Sequence, residues 1–213
     1  MSGPLQIWIL SDGKPGHENQ SFGLAEAIGR RRAANLSKLK LAGDGGAFAR
    51  LRRAWRESEG LPAPDLLIGA GHATHLALLG LSRRTDAPCV VMMKPTLPPA
   101  LFDLCLVPAH DLNGGETPDH VVSTLGAPNR VPPPGGQARH GGLILLGGPS
   151  SSHGWDADAV RAAIEAVVVA GKDRPWRVTD SRRTPDGTLE SLATACPALA
   201  VYPHGGTGRD WLP

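Results

Sequence analysis

Short apolar runs alternate with longer segments of helical periodicity along the 213-residue chain. The first run, Leu5 to Leu10, predicts a strand, and the segment from about Glu18 to Ala33, with Phe22, Ala25 and Ile28 on one face, predicts a helix. Such alternation is typical of strand–helix–strand units, so we predict an α/β fold with parallel sheets. Further strands are predicted at 36–41, 65–70, 88–93, 102–107 and 120–125, with helices at 47–59 and 72–84.

A segment rich in proline and glycine, residues 128–142, interrupts this pattern and predicts an interdomain linker. The chain is thus divided into an N-terminal Rossmann-like domain at 1–127, the linker, and a second Rossmann-like domain at 143–213. In the second domain, strands are predicted at 143–146, 176–179 and 199–202, with helices at 156–170 and 185–195. Three strands do not complete a doubly wound sheet, so we expect this domain to be incomplete.

Composition excludes several classes of partner. Nine aromatic residues are too few for the stacking platforms of single-stranded nucleic-acid binders, and a net charge of +2 argues against duplex binding. No segment approaches the ~20 apolar residues that cross a bilayer, and no signal peptide is visible. Cys89, Cys105 and Cys196 are widely spaced in apolar runs, which indicates buried, reduced thiols. We therefore expect a cytoplasmic protein that binds no nucleic acid.

The loop after the first predicted strand, residues 11–20, combines Asp12, Lys14 and His17 with two glycines directly before a helix. Ligands of open parallel sheets bind outside the carboxyl ends of strands, and helix N-termini favour anions, so this loop is the first candidate site. Neutral His17 can act as a general base toward a hydroxyl, and Asp12 can act as a base or orient the imidazole. The competing interpretation is a turn aspartate beside a solvated histidine.

A second loop, residues 69–74, partly matches a dinucleotide fingerprint but follows the third strand, so support for NAD binding is weak. His72 and His75 have no identifiable third metal ligand, and we expect one to face the loop and the other to pack inside. The residues expected to bind an acceptor are Lys14, Asn19, Gln20, Gly71, His72, Lys94 and Thr96.

Two later loops have the chemistry of a diphosphate site. Residues 147–156 offer glycines and serines before a helix but lack the lysine of a P-loop, and residues 180–185 offer two arginines and two hydroxyls. The competing interpretations are a serine turn with Asp156 as a helix cap and a solvated basic turn capped by Thr184. The expected diphosphate ligands are Gly147, Gly148, Ser150, Ser151, Ser181, Arg182, Arg183 and Thr184.

Several of these segments resemble one family. Asp12–Gln20, followed by Gly23–Ala27, is similar to the signature of the mitochondrial fission Elm family, which has many bacterial members. The resemblance continues in Lys94-Pro95, Leu97–Pro99, Phe102–Leu104, Val107-Pro108, His110-Asp111, Leu146–Ser150, Trp155-Asp156 and Ser181–Pro185. It implies a GT-B-like fold, in which two Rossmann-like domains face each other across a cleft. Bacterial members are often labelled nucleoside-diphosphate-sugar epimerases or glycosyltransferases, and members normally continue past a segment like 201–213.

These observations together predict a glycosyltransferase that uses a nucleoside-diphosphate sugar as co-substrate by direct displacement, without a tightly bound cofactor or a metal. His17 is the expected base, with Asp12 as its partner, and the acceptor is a lipid or a saccharide. One alternative is a non-catalytic, GT-B-like binding or scaffold protein. A weaker one is a nucleoside-diphosphate-sugar epimerase, because Tyr202 is the only tyrosine and has Gly206 in place of the lysine of a Tyr-x-x-x-Lys pair.

The helix predicted at 47–59 raises a separate question. Phe48, Leu51 and Trp55 have the spacing of a core face, so we expect the aromatic side chains inside and the arginines in solvent. The less favoured alternative is contact with anionic lipid, peripheral to the inner membrane, through the arginines around Trp55. These arginines are Arg50, Arg52, Arg53 and Arg56.

Overall fold

The computed structural model describes residues 3–112, 117–131, 140–150 and 153–204. The chain divides into two compact units, Met1–Pro133 (unit 1) and Pro134–Pro213 (unit 2). The division falls inside the segment 128–142 that the sequence predicts as a linker, and most of that segment, 132–139, lies outside the described residues.

Unit 1 is built on a six-stranded parallel sheet of order β2-β1-β3-β4-β5-β6, which confirms the predicted α/β fold. The strands are β1 (Leu5–Ser11), β2 (Ala34–Lys40), β3 (Leu66–Ala70), β4 (Cys89–Met92), β5 (Leu104–Pro108) and β6 (Val121–Thr124). The helices are α1 (Pro15–Gly29), α2 (Ala47–Glu57) and α3 (His75–Thr85), with 3-10 turns at His72–Thr74, Pro99–Leu101 and Ala109–Asp111. β6, which corresponds to the strand predicted at 120–125, and β2 form the two edges of this sheet.

Strand β1 is buried on both faces of this sheet. Ile7 and Ile9 pack in the same cluster as Ala25 of α1, whereas Trp8 packs in the cluster that contains Ala54 of α2 and the apolar side chains of α3. Successive side chains of a strand point to opposite faces, so α1 covers one face and α2 and α3 cover the other. This double burial explains why β1 is an unbroken apolar run.

The strand order reverses direction at β1. The chain runs from β1 outward to β2 and then crosses back to β3, so β1 pairs in parallel with both neighbours, with Leu10 opposite Leu39 on one side and Gly69 on the other. In open parallel sheets a reversal of this kind opens a crevice at the carboxyl ends of the strands. The loops that follow β1 and β3 therefore lie side by side.

Unit 2 repeats the pattern on a smaller scale, with a three-stranded parallel sheet of order β7-β8-β9. Its elements are β7 (Gly142–Leu145), α4 (Ala157–Ala170), β8 (Trp176–Thr179), α5 (Thr188–Ala195) and β9 (Leu199–Tyr202). Asp156 Oδ1 accepts a hydrogen bond of 3.0 Å from the Ala159 amide, which confirms Asp156 as the cap of α4. Ile164, Val178 and Leu192 are buried at the centre of this unit.

Three helices start three residues away from the predicted position. α3 begins at His75 rather than His72, because residues 72–74 form a 3-10 turn. α1 begins at Pro15 rather than near Glu18, because proline at a first helical position has a suitable φ and needs no hydrogen bond for its nitrogen. α5 begins at Thr188 rather than Pro185, because the preceding residues close into a turn in which the Thr184 amide donates to the Ser181 carbonyl at 2.9 Å.

The prediction that Phe48 and Trp55 lie in the core is wrong. Phe48 is 76% exposed and Trp55 is 40% exposed, whereas Ala54 is fully buried. α2 packs closely against α3 at Gly80, where a Cβ atom would lie 2.3 Å from Leu51 Cδ1. This contact fixes the rotation of α2 and turns both aromatic rings outward.

The segment after β6, residues 126–131, lies against α1, and we call it the strap. A Cβ atom at Gly23 would lie 2.3 Å from the Asn129 carbonyl oxygen, so the strap touches the helix backbone. Arg130 forms an ion pair with Glu26, and its guanidinium carbon lies 5.4 Å from the centre of the Phe22 ring. The strap is thus held to the middle of α1 by steric fit, charge and a cation–π contact.

The three cysteines are free and buried, which confirms the prediction of unpaired, buried thiols. Burial, and then the neighbouring Cys89, raises the pKa of Cys105 to about 11. Across the described ranges, no helix has the length and apolar character to span a membrane.

The close approach at Gly23 gives a prediction about stability. Glycine to alanine inside a helix normally stabilises by about 1 kcal/mol, but Gly23→Ala should destabilise by about 1–3 kcal/mol, since its methyl group overlaps Asn129. Gly29→Ala is the control, because its Cβ would meet nothing nearer than Ala34 Cβ at 4.0 Å. Urea unfolding followed by circular dichroism measures both variants. Equal midpoints for the two would contradict the contact between strap and helix.

Candidate functional site

Asp12 and His17 form a partly buried histidine–aspartate pair just after the carboxyl end of β1. His17 Nδ1 lies 2.8 Å from Asp12 Oδ2, and the side chain of Asp12 is only 4% exposed. The other carboxylate oxygen accepts a hydrogen bond of 3.1 Å from the Lys14 amide. A carboxylate only accepts hydrogen bonds, so the neutral tautomer that fits this contact has its proton on Nδ1 and Nε2 as an acceptor. This is the arrangement of an oriented general base.

Gly71, in the loop after β3, lies in close contact with the His17 ring. A Cβ atom at Gly71 would lie 2.3 Å from His17 Cε1, and its φ of +80° favours glycine. The Gly71 carbonyl accepts a hydrogen bond of 2.9 Å from the Thr74 hydroxyl, which holds the turn. The imidazole is therefore held by the Asp12 carboxylate at Nδ1 and by close contact with the backbone of Gly71.

Glu18, the next residue of α1, is held in a separate network. It accepts hydrogen bonds from the Ser11 hydroxyl and from Lys38 Nζ, the latter at 2.5 Å. The hydrogen bond from Lys38, followed by that from Ser11, lowers the pKa of Glu18. Glu18 therefore stays ionised and engaged, so His17 is the group left to accept a proton. The sequence analysis missed Lys38, although pairing of β1 and β2 puts it opposite Ile9.

The two histidines after β3 differ as predicted. His72 is exposed in the 3-10 turn, whereas His75 is 2% exposed and packs edge-on against Phe102, with ring centres 5.4 Å apart. Burial, with a smaller effect of His72, lowers the pKa of His75 to about 4. Its Nδ1 lies 3.3 Å from the Thr96 hydroxyl. In the described part of the chain, no three His, Cys, Asp or Glu side chains form a metal-binding group.

The other residues predicted to bind an acceptor lie in two places. Asn19 is exposed on the first turns of α1, but Gln20 is buried, and its Oε1 has no hydrogen-bond partner among the described residues. Lys94 is exposed in the loop after β4. That loop leaves the strand through Met93, whose φ of +73° is rare for a side chain and whose amide donates to Leu106 O at 2.9 Å.

In unit 2 the loops after β7 and β8 are joined by one hydroxyl. Thr184 Oγ1 donates to the Gly147 carbonyl at 2.6 Å and accepts from the Ser181 amide at 2.9 Å. The Ser181 hydroxyl lies 3.2 Å from the same oxygen. Thr184 was predicted as a phosphate ligand or a helix cap. It does not cap α5, which begins four residues later, and instead ties the two loops together.

Gly148 brings the same two loops into backbone contact. A Cβ atom at Gly148 would lie 1.9 Å from the Arg183 carbonyl oxygen, so no side chain fits there. Arg182 and Arg183 are exposed, and neither has an ion-pair partner among residues 140–150 and 153–204. Ser150 closes a small turn, in which its amide donates to His153 O at 2.9 Å. The predicted ligand Ser151 lies outside the described residues.

Asp180, at the end of β8, has a partner that the sequence did not suggest. Its Oδ1 accepts from the His204 amide at 2.6 Å and lies 2.9 Å from His204 Nδ1. Burial acts to raise the pKa of Asp180, but these hydrogen bonds outweigh it and the net direction is downward. Asp180 therefore remains an anion that fastens the chain after β9 to the loop after β8.

Comparisons with known proteins agree on the fold. The sequence model of a family described as "Mitochondrial fission ELM1" matches residues 15–213. The calicheamicin glycosyltransferase CalG4 is similar in structure, with a TM-score of 0.52 and 14% identity over 94% of this chain and 70% of its own. A Listeria monocytogenes protein assigned as UDP-N-acetylglucosamine 2-epimerase has a TM-score of 0.52 and 11% identity over 94% of this chain and 69% of its own. No curated protein matches the sequence significantly.

At these identities the solved structures show the fold alone. With the six-stranded and three-stranded parallel sheets, they confirm the predicted GT-B-like fold of two parallel-sheet units.

The buried, neutral His75 gives a prediction about pH. Its pKa of about 4 in the folded chain is below the ordinary value of 6.5, so acid protonates the unfolded chain first. The free energy of unfolding should therefore fall between pH 6.5 and pH 4, by on the order of 1–3 kcal/mol. Urea unfolding across this range should show a flatter pH profile for His75→Gln than for the wild type. The exposed His110→Gln is the control, and a wild-type profile in H75Q would contradict the assignment.

Proposed function

The chain belongs to the mitochondrial fission ELM1 family, and from this premise we propose that it is a glycosyltransferase that uses a nucleoside-diphosphate sugar. The observation that carries the proposal is the Asp12–His17 pair, whose ring rests on Gly71 at the switch point of the sheet. A base oriented in this way suits a reaction in which a hydroxyl must lose its proton as it attacks.

The proposed reaction is a single displacement. The acceptor hydroxyl gives its proton to His17 Nε2 as its oxygen forms a bond to the anomeric carbon, and the bond from that carbon to the diphosphate breaks. Asp12 Oδ2 accepts from Nδ1, 2.8 Å away, and stabilises the imidazolium that results. One displacement inverts the anomeric configuration, so the product should have the opposite configuration to the donor.

The proposed role of unit 2 is to bind the diphosphate. Arg182 and Arg183 carry exposed guanidinium groups, and Gly148 brings the backbone of the two loops together. Arginine binds phosphate through two parallel hydrogen bonds and offsets the charge that develops on the leaving group. The hydroxyl of Thr184 is already engaged with Gly147, so in this proposal it shapes the loops and does not bind the ligand.

A nucleoside-diphosphate-sugar epimerase is the second candidate, since the epimerase-assigned protein has the same TM-score as the glycosyltransferase CalG4. The two candidates differ in their need for an acceptor. Nuclear magnetic resonance of the nucleotide sugar incubated with the protein alone distinguishes them. An epimerase inverts a ring carbon other than the anomeric carbon, whereas a transferase that uses water as its acceptor only releases the sugar. A protein that binds the nucleotide sugar and turns over nothing, with or without acceptors, would instead be the non-catalytic alternative.

The proposed base gives a kinetic prediction. His17→Gln should lower the rate of sugar transfer by about 10²–10⁴-fold and leave donor affinity unchanged, because only proton removal is lost. Asp12→Asn should also lower kcat, since an amide can leave the imidazole in the wrong tautomer. His110→Gln is the control, since His110 lies 3.8 Å from Asp111 in another, exposed histidine–aspartate pair. Full activity of H17Q with a nucleotide sugar that the wild type uses would exclude His17 as the base.

The proposed diphosphate ligands give a binding prediction. Arg182→Ala and Arg183→Ala should each weaken nucleoside-diphosphate binding by about tenfold or more, as expected for the loss of a charge-assisted hydrogen bond. The matched control is Arg174→Ala, an exposed arginine in the same unit. Isothermal titration with nucleoside diphosphates measures all three. Affinities that fall equally in the control would show a general effect of charge and not a site.

A further inference from the structure

Helix α2 presents a ridge of aromatic and cationic side chains, which we call the α2 ridge: Phe48, Arg52, Trp55 and Arg56. These residues follow Phe48 by four, seven and eight positions, so they share one side of the helix. All four are exposed, and Phe48 has 76% of its surface in solvent. The opposite side of α2 packs into the core through Ala54.

The outward position of this ridge is fixed by packing. Leu51 fits against Gly80 of α3, as a Cβ atom there would lie 2.3 Å from Leu51 Cδ1. Arg53 donates to the Leu41 carbonyl at 2.9 Å and to the Asp44 carbonyl at 3.1 Å. These contacts attach α2 to α3 and to the chain after β2. The helix cannot rotate to bury Phe48 and Trp55 without breaking them.

The positive charges of the ridge are not neutralised by ion pairs within the described ranges. Arg52 and Arg56 have no ion-pair partner within the described ranges, although Glu59 lies just beyond the helix. A shallow, open depression of about 540 Å³ lies beside Trp55 and is lined by Ala49, Arg52, Arg53, Arg56 and Glu59. Its charges favour an anionic occupant, and the wall formed by Trp55 favours one with an apolar part next to the anion.

We propose that the α2 ridge binds the surface of a membrane rich in anionic lipid. Phe48 and Trp55 would enter the boundary between headgroups and acyl chains, where aromatic rings are favoured, while Arg52 and Arg56 contact lipid phosphates. The two rings are about 10 Å apart along the helix axis, so α2 would lie parallel to the membrane plane. This proposal is independent of the reaction proposed above.

Lipid fits these observations better than a protein partner does. A stable protein interface buries about 800 Å² on each side around an apolar core. Two rings separated by arginines do not form such a core. Membrane binding needs no matching surface, because each aromatic ring and each cation contributes to the partition free energy on its own.

Co-sedimentation of the full chain with vesicles tests the proposal. The wild type should bind vesicles of phosphatidylcholine mixed with phosphatidylglycerol, bind phosphatidylcholine alone at least tenfold more weakly, and be released by high salt. Phe48→Ala/Trp55→Ala and Arg52→Glu/Arg56→Glu should each lower the partition coefficient by about tenfold or more. The fluorescence maximum should shift to the blue on binding, and this shift should be smaller in Trp55→Phe.

Two matched controls keep the result specific. Arg30→Glu/Arg31→Glu reverses two exposed charges after α1, on the other face of the sheet, and Leu125→Ala removes an exposed apolar side chain after β6. Both should bind like the wild type, with circular dichroism confirming that every variant is folded. Failure of the wild type to bind anionic vesicles, or equal loss in controls and ridge variants, would overturn the proposal. A stoichiometric complex with a protein partner that depends on the α2 ridge, formed by a wild type that does not bind vesicles, would also overturn the proposal.

Discussion

The pairing of β1 with both β2 and β3 is the constraint on which the arrangement of unit 1 depends. β1 is buried on both faces, so it can only be a central strand, and the chain must cross over it to form β3. That crossing places the loop that carries Asp12 and His17 beside the loop that carries Gly71. The geometry of the candidate base is therefore a consequence of sheet topology as much as of the residues themselves.

The central strands β1, β3 and β4 were predicted most directly, because a strand buried on both faces is a short apolar run. Helix positions were also recovered, but rotation about the helix axis was not. Phe48 and Trp55 have the spacing of a core face, yet α2 packs through Ala54 and Leu51 against Gly80 of α3. Periodicity shows that a helix has two sides. Which side faces the core depends on shape complementarity with another helix, which the local pattern does not contain.

The candidate site was predicted in its chemistry but not in its contacts. Asp12 and His17 are five residues apart, so a local pattern could suggest that they act together. Lys38 and His204 are distant in sequence from Glu18 and Asp180, their partners, and only the fold brings each pair together. Such contacts depend on strand register and loop path, and a single sequence gives neither. Some glycines in the candidate loops mark tertiary contacts. Gly71 and Gly148 each lie where two loops touch.

The strap has a mechanical consequence for the candidate base. It presses on α1 at Gly23, while His17 lies six residues toward the N-terminus of the same helix, about 9 Å along the axis. A tilt of the helix by about 10° at Gly23 would therefore move the backbone at His17 by roughly 1.5 Å. Displacements of that size are enough to misplace a reacting group. Because the strap lies against the backbone of α1 at Gly23, it opposes the direction of tilt that would bring the helix closer to Asn129.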